Sequence, residues 1–307
     1  MSALPQRVTV YEVGPRDGLQ NIDTPLDVDV KVRFVEALAA AGLPAVETGA
    51  FVSPKAVPQM AASDQVYARL KRRAGTRYPA LVPNERGLET ALACGVREIA
   101  VFTAASETFN HKNINASIAE SLRRFEPVVQ RGLDAGLRVR GYVSTCFGCP
   151  YEGAVDPRRV ADVTHDLFEL GVHEVSLGDT IGVAVPTQVS QVVRHLLSRF
   201  RVETLALHFH DTRGTALANI AEALRHGVTT YDTSAGGLGG CPYAPGATGN
   251  VATEDVVYML HGMGIETGVE LDAVVDASLQ VEAALGTALP SRVLRARVAE
   301  RRRSRGT

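Results

Sequence analysis

The chain alternates short β-branched runs with longer amphipathic stretches about eight times, and this repeat limits its fold more than any other feature. Strand-like runs fall at 8–13, 45–48, 78–82, 98–103, 138–144, 174–177, 205–210 and 230–234, with helical spacing at 28–41, 117–135, 157–170, 186–200 and 216–226. Gly42, Gly95, Gly136, Gly171 and Gly227 stand where the chain should leave a helix for the next strand. Strict strand–helix alternation implies parallel strands joined by crossover helices. Such units, repeated through about 260 residues, match a closed (β/α)₈ TIM barrel better than an open doubly wound sheet. No linker-like stretch divides the chain, so residues 1–307 are expected to form a single catalytic domain, with extra C-terminal helices from about 269 and a basic tail over 292–307.

With 45% hydrophobic and 21% charged residues, a chain of 307 can fill one large core. A net charge of −2 gives no general basic surface, so no nucleic-acid partner is expected. The exception is local: Arg292, Arg295, Arg297, Arg301, Arg302, Arg303 and Arg305 face only Glu300, and such a tail reads as a frayed, solvated helix end rather than a phosphate- or partner-binding tail. No apolar run approaches the ~20 residues that span a bilayer. The N-terminal MSALPQRVTV lacks the apolar core of a signal peptide, so a cytoplasmic location without a membrane partner is expected. Cys94, Cys146, Cys149 and Cys241 are too scattered for a disulfide framework. Cys146 and Cys149 form a lone C-x-x-C, read as packed or loop thiols rather than a redox pair or half a zinc site.

In a TIM barrel the loops after the strands converge on one mouth, where catalytic groups sit. The first strand runs into Arg16, Asp17 and Gln20, the second ends in Glu47, the sixth in Asp179 and the seventh in His208 and His210. His208 and His210 are two apart on an expected strand, so both rings project to one face, about 7 Å apart at the backbone. They can close on a cation or hydrogen-bond inside the barrel. With Asp17 added, the mixed set suits Mg²⁺, Mn²⁺ or a related divalent ion, without excluding zinc. Arg16 is either half of an internal salt bridge or a stabiliser for an oxygen gaining negative charge. Glu47, flanked by apolar residues, is too costly to bury unpaired, so it is paired with an arginine or catalytic. Gly236, Gly237, Gly239 and Gly240 permit close backbone approach and mobility, so the run can bind phosphate or act as a lid, and their spacing is not that of a dinucleotide-binding loop. Cys241 in that loop suits a thiol that visits the site on closure.

The stretches G-P-R-D-G-L-Q-N at 14–21, F-V-S-P-K at 51–55, K-N-I-N at 112–115, G-C-P-Y-E-G at 148–153, L-G-D-T-I-G at 177–182, H-x-H-D-T at 208–212 and G-L-G-G-C-P-Y-A-x-G-A-x-G-N at 237–250 carry a strong resemblance. Over residues 8 to about 268 the chain resembles the 3-hydroxy-3-methylglutaryl-CoA lyase family, metal-dependent barrel lyases and synthases with an Arg-Asp start and a later H-x-H. The resemblance implies Asp17, His208, His210 and Asn250 as ligands of a divalent cation, Mg²⁺ or Mn²⁺. It implies catalytic roles for Arg16, Asp17, Glu47, His208 and Cys241: Arg16 stabilises the thioester enolate, Glu47 orients Arg16, and Cys241 assists proton transfer. Substrate contacts are implied for Arg16, Gln20, Thr48, Lys112 and Asp179, with Asn113 near the CoA portion. The implied partner is an acyl-CoA, and a homo-oligomer, dimer or larger, is expected.

The chemistry implied is retro-Claisen cleavage of 3-hydroxy-3-methylglutaryl-CoA, or a close 3-alkyl homologue, to acetyl-CoA and a ketoacid, as in leucine degradation. One departure from the family pattern concerns the acyl pocket. After Glu47 only Thr48 offers a hydroxyl, so Gly49 and Ala50 are expected to leave a roomier or less polar pocket. Two rival readings differ in testable ways. A Claisen-condensing synthase of the isopropylmalate or homocitrate type would lack the G-G-C-P loop and often carry a longer C-terminal region. A noncatalytic CoA- or metal-binding barrel would not need the acid, arginine, thiol and cation ligands together.

Overall fold

The computed structural model describes residues 4–23, 25–240 and 249–305. Parallel strands β1 (Thr9–Glu12), β2 (Ala45–Val46), β3 (Gly49–Ala50), β4 (Ala80–Leu81), β5 (Glu98–Ala104), β6 (Arg138–Ser144), β7 (Glu174–Asp179), β8 (Leu205–Phe209) and β9 (Thr230–Thr233) form one sheet in the order β2-β1-β9-β8-β7-β6-β5-β4-β3. β2 and β3 are halves of one extended segment, and that segment closes the sheet on itself. Val46 is in register with Glu12 of β1, whereas Gly49 is in register with Ala80 of β4. Between them the Glu47 N–H donates to the Glu12 carbonyl at 2.8 Å and the Thr48 N–H to the Pro79 carbonyl at 2.9 Å. The nine strands are therefore the eight of a (β/α)₈ barrel, as the repeat predicts.

Around the sheet lie α1 (Val28–Ala40), α2 (Ser63–Arg69), α3 (Glu85–Ala93), α4 (Glu107–Ile114), α5 (Ile118–Asp134), α6 (Pro157–Glu169), α7 (Pro186–Leu197), α8 (Ala216–Arg225) and α9 (Thr253–Gly262). Local chemistry sets their ends. Ser117 and Glu120 form a reciprocal capping box on α5, Asn84 and Ser106 cap α3 and α4, and Asp156 caps α6 just before Pro157. Gly42, Gly95, Gly136, Gly171 and Gly227 all adopt positive φ, between 67° and 101°, so the glycine punctuation reads correctly. Phe34, Leu38, Leu88, Val128, Leu167 and Ile220 fill the space between helices and sheet, without exposure to solvent.

Two further helices, α10 (Leu271–Leu285) and α11 (Arg292–Arg305), follow the barrel. α10 packs on α1 and on the turn after β9. The arginine-rich tail is helical to Arg305 rather than frayed; Arg302 and Arg303 are solvated as expected, but three of its arginines meet acids of α10. Arg295 pairs with Glu282, Arg301 with Asp276, and Arg297 with Asp272. Asp272 and Asp276 stand one turn apart, as do Arg297 and Arg301, so the two helices present matched rows. Among the described residues no helix is long and apolar enough to cross a membrane.

The helix-exit glycines differ in what surrounds them. A Cβ at Gly42 (φ +92°) would stand 2.3 Å from the Gly268 carbonyl oxygen, whereas one at Gly136 (φ +75°) meets nothing within 4 Å. Gly136→Ala should cost only the left-handed strain, roughly 1–2 kcal/mol. Gly42→Ala should cost that plus a clash of about 1–3 kcal/mol. Urea unfolding of both variants checks the ranking, and equal losses would show that the Gly268 backbone yields freely.

Candidate active site

A cavity of about 860 Å³ opens over the C-terminal ends of the strands, with Arg16, Asp17, Gln20, Tyr142, His208 and His210 in its wall. Its first side is built by the turn after β1. The N–H groups of Arg16, Asp17 and Gly18 converge on the Val13 carbonyl at 3.1, 2.7 and 3.2 Å. The buried Glu12 ties this turn to the loop after β9, accepting from the N–H groups of Gly14 (2.7 Å) and Ala235 (2.9 Å) and from Thr253 Oγ1 (2.6 Å).

Arg16 is fixed from two directions. Its Nε donates to Glu47 Oε2 at 2.7 Å and its Nη1 to Asp17 Oδ1 at 2.6 Å, while Nη2 has no partner among the described residues. Burial works against the guanidinium charge, but the carboxylates of Glu47 and Asp17 outweigh it and hold Arg16 charged. Glu47, fully buried, also accepts from the Tyr142 hydroxyl at 3.1 Å. Of the two readings for Glu47, the structure shows the arginine pair.

Asp17, His208 and His210 place one ligand atom each within 4.8 Å of one another. The rings of His208 and His210 lie 5.2 Å apart, and His208 Nε2 is 4.0 Å from Asp17 Oδ2. The Asn250 amide donates to the same Asp17 oxygen at 2.9 Å and to the Leu238 carbonyl at 3.2 Å. Gly239 (φ +134°) lets the backbone pass over this amide, since a Cβ there would stand 2.7 Å from Asn250 Nδ2. Burial raises the Asp17 carboxyl, but Arg16 and the two imidazoles more than offset this, so it lies well below the usual carboxylate range. Burial and the neighbouring His208 lower His210 to about 4, leaving a neutral imidazole at pH 7. Burial would also lower His208, yet the hydrogen bond to Asp232 and the charge of Asp17 raise it. An ionised carboxylate, a neutral imidazole and a buried His210 Nδ1 with no hydrogen-bond partner among the described residues fit a divalent cation held by these residues.

The structure brings together Arg16, Asp17, Gln20, Glu47, His208, His210 and Asn250, and leaves other expected contacts outside. Thr48 follows the inward-facing Glu47, so strand alternation turns it outward, where its hydroxyl donates to the Val46 carbonyl at 2.9 Å. Asp179 is buried, accepts the N–H groups of Val183 and Ala184 at 2.9 and 3.0 Å and interacts electrostatically with His208, although its own side chain does not line the cavity. Lys112 lies over the Tyr151 ring at 5.0 Å, outside the wall, while Asn113 lines it. The room expected at Gly49 and Ala50 is absent there: a Cβ on Gly49 would meet Ser63 Oγ at 2.7 Å, and neither residue lines the cavity. Cys146 and Cys149 are buried free thiols, while Cys241 lies outside the described residues.

Several polar groups under the site went unnoticed in the sequence. Arg140, Tyr142, Ser176 and Asp232 are buried inside the barrel and hydrogen-bonded to one another and to the site. The available signal was a charged or hydroxyl residue at every second position of 138–144, and a lone acid within 230–234.

The family model described as HMGL-like matches residues 7–281. A Pseudomonas aeruginosa protein named 3-hydroxy-3-isohexenylglutaryl-CoA/hydroxy-methylglutaryl-CoA lyase is 52% identical, over 97% of this chain and 99% of its own. The crystal structure of hydroxymethylglutaryl-CoA lyase from Pseudomonas aeruginosa superposes with a TM-score of 0.95 at 52% identity, covering 97% of this chain and 99% of that one. An HMG-CoA lyase from Acinetobacter baumannii, in complex with coenzyme A and 3-methylmalate, matches with a TM-score of 0.91 at 39% identity, over 96% and 97% of the two chains.

Glu254 supports the loop after β9 from below, both oxygens accepting from the Gly236 N–H at 2.9–3.0 Å. Burial pushes its carboxyl up from 4.5 to about 7. The folded state therefore binds a proton that the unfolded chain has lost, and Glu254 stabilises the fold fully below its unfolded pKa and loses that contribution as pH rises through about 7. Glu254→Gln resembles the protonated form. The parent is expected to lose stability relative to this variant as pH rises from 4.5 to 7, and parallel curves in urea unfolding at several pH values would refute it.

Proposed function

The chain belongs to the HMGL-like family, and from that premise we propose that it cleaves 3-hydroxy-3-methylglutaryl-CoA to acetyl-CoA and acetoacetate by a retro-Claisen reaction. The observation that carries this reading is the convergence of an ionised carboxylate, two imidazoles and a charged guanidinium on one cavity. Lyase names among relatives of near-full-length identity support the cleaving direction over condensation. Coenzyme A in the Acinetobacter baumannii complex supports an acyl-CoA partner.

Asp17, His208, His210 and Asn250 would hold a divalent cation, Mg²⁺ or Mn²⁺, which when bound supplies electrophilic polarisation of substrate oxygens. The chain's own groups do the rest. Asp17 accepts the proton of the tertiary hydroxyl, or His208 does so where its Nε2 is not taken up by the cation, and Arg16 weakens Asp17 for that task by stabilising its anion. As the bond between carbons two and three breaks, carbon three becomes the ketone of acetoacetate and the electron pair passes into the thioester enolate. Arg16 meets the charge on the thioester oxygen, its orientation set by Glu47 and Tyr142. Cys241 delivers a proton to carbon two, so one proton leaves oxygen and one arrives on carbon. Gly240, its neighbour in sequence, lines the cavity.

A second reading concerns the branch on carbon three. Leu81, Phe102, Ile114, Phe125 and Val143 form an apolar stretch of the cavity wall, and the Pseudomonas aeruginosa relative carries 3-hydroxy-3-isohexenylglutaryl-CoA in its name. A longer 3-alkyl chain fits that wall better than it fits the packed surroundings of Gly49. The whole chain acts here as one catalytic unit, and the free thiols Cys94, Cys146 and Cys149 support a reducing compartment such as the cytoplasm.

Mg²⁺ and 3-hydroxy-3-methylglutaryl-CoA should give acetoacetate, and exhaustive chelation should stop it. His210→Ala is expected to lose bound cation and turnover together while keeping its circular dichroism. Full activity in the chelated enzyme would overturn the cation assignment. Cys241→Ser should lower kcat by roughly 10²–10⁴, the range for losing a positioned acid, with KM nearly unchanged. Normal turnover in the serine variant would make the thiol a spectator.

A further inference from the structure

We propose that Asp232 is a positioning residue that fixes the His208 ring for cation binding, held in place by the buried Arg140. His208 on β8 and Asp232 on β9 are register partners, so strand alternation turns both into the barrel side by side. Asp232 Oδ2 lies 3.3 Å from His208 Nδ1, and the opposite ring nitrogen, Nε2, is the one facing Asp17. A carboxylate at Nδ1 selects the tautomer protonated there. The Nε2 lone pair is then free for a cation.

Asp232 itself has little freedom to move. It is 1% exposed and accepts Arg140 Nη2 at 2.7 Å, Arg140 Nη1 at 3.2 Å and Ser176 Oγ at 2.7 Å. Arg140, with no exposure, is in turn held by Glu174 at 2.7 Å and by the Tyr142 hydroxyl at 2.9 Å. His210 shows what a ring without this support looks like: its Nδ1 is buried with no hydrogen-bond partner among the described residues. Of the two imidazoles, His208 is thus the one whose ring plane and tautomer are set before a cation arrives.

The proposal rests on the cation reading above, and Mn²⁺ titration followed by electron paramagnetic resonance tests the two separately, without turnover. Asp232→Asn is expected to bind Mn²⁺ about 10–100-fold more weakly than the parent, with unchanged circular dichroism. Arg140→Gln combined with Asp232→Asn removes both buried charges, so it serves where the single variant fails to fold; it should bind as weakly. In the metal-free parent labelled with ¹⁵N-histidine, the neutral His208 ring should carry its proton on Nδ1. A parent that binds no Mn²⁺ overturns the cation reading and this role with it. If the parent binds and Asp232→Asn stays within twofold, or the double variant regains parental affinity, Asp232 is only a counter-ion and the role falls. A neutral His208 ring protonated on Nε2 in the parent overturns it without any variant.

Discussion

A guanidinium with no solvent exposure stands inside the barrel, and the site above it is arranged by the groups that make this burial tolerable. Arg140 alone in that position would cost several kcal/mol of lost hydration. Asp232, Glu174 and the Tyr142 hydroxyl bond to it, and the Tyr11 ring lies 4.0 Å from its guanidinium carbon. Two of these partners continue upward. Asp232 reaches His208, and Tyr142 reaches Glu47 and through it Arg16. The cation side and the arginine side of the cavity therefore share one buried charge as their foundation, and neither can shift without disturbing a bond that the burial of Arg140 requires.

Asp17 solves the opposite problem, that of keeping two positive centres close together. A cation among Asp17, His208 and His210 would stand near the guanidinium of Arg16, and like charges in a half-dry cleft repel strongly. The carboxylate separates them by dividing its oxygens: Oδ1 takes Arg16, while Oδ2 faces Asn250 and His208. The Arg16 contact helps keep Asp17 ionised despite burial, while burial and the neighbouring His208 keep His210 neutral, so that it adds no further charge. An enolate forming against Arg16 and an alkoxide forming against the cation would each find its own positive partner.

Much of this was legible in the sequence, and the failures have physical causes. The barrel was readable because the period-2 and period-3.6 patterns alternate along the chain and glycines mark the exits of five of its helices. His208 and His210 were readable because two-residue spacing on a strand has one geometric meaning. The same parity rule turns Thr48 away from the face that Glu47 presents, a step that required knowing which face was inside. Asp179 and Lys112 sit in matched motifs, yet proximity in sequence to a site does not say whether a side chain braces a loop or meets a ligand. Asp232 and Arg140 were missed for a different reason. Barrel interiors are usually filled by branched apolar residues, and a lone acid in one strand pairs with an arginine three strands away only through the closed geometry.

The C-terminal helices also brace the site, although they add no strand to the barrel. Gly236 lies against Leu289, where a Cβ would come within 2.3 Å of the leucine Cδ1, so the segment after α10 presses on the turn that starts the glycine-rich loop. From the other side Glu254 holds the Gly236 N–H and is itself held by Ser278 of α10. Glu12 bonds the neighbouring Ala235 N–H and the turn carrying Arg16 and Asp17. A loop rich in glycine has little internal preference for one conformation, so its start must be fixed by its surroundings. Here the fixing groups come from the first strand, from α9 and from the helices beyond the barrel. The residues past the last barrel unit thereby help set where a loop entering the cavity begins.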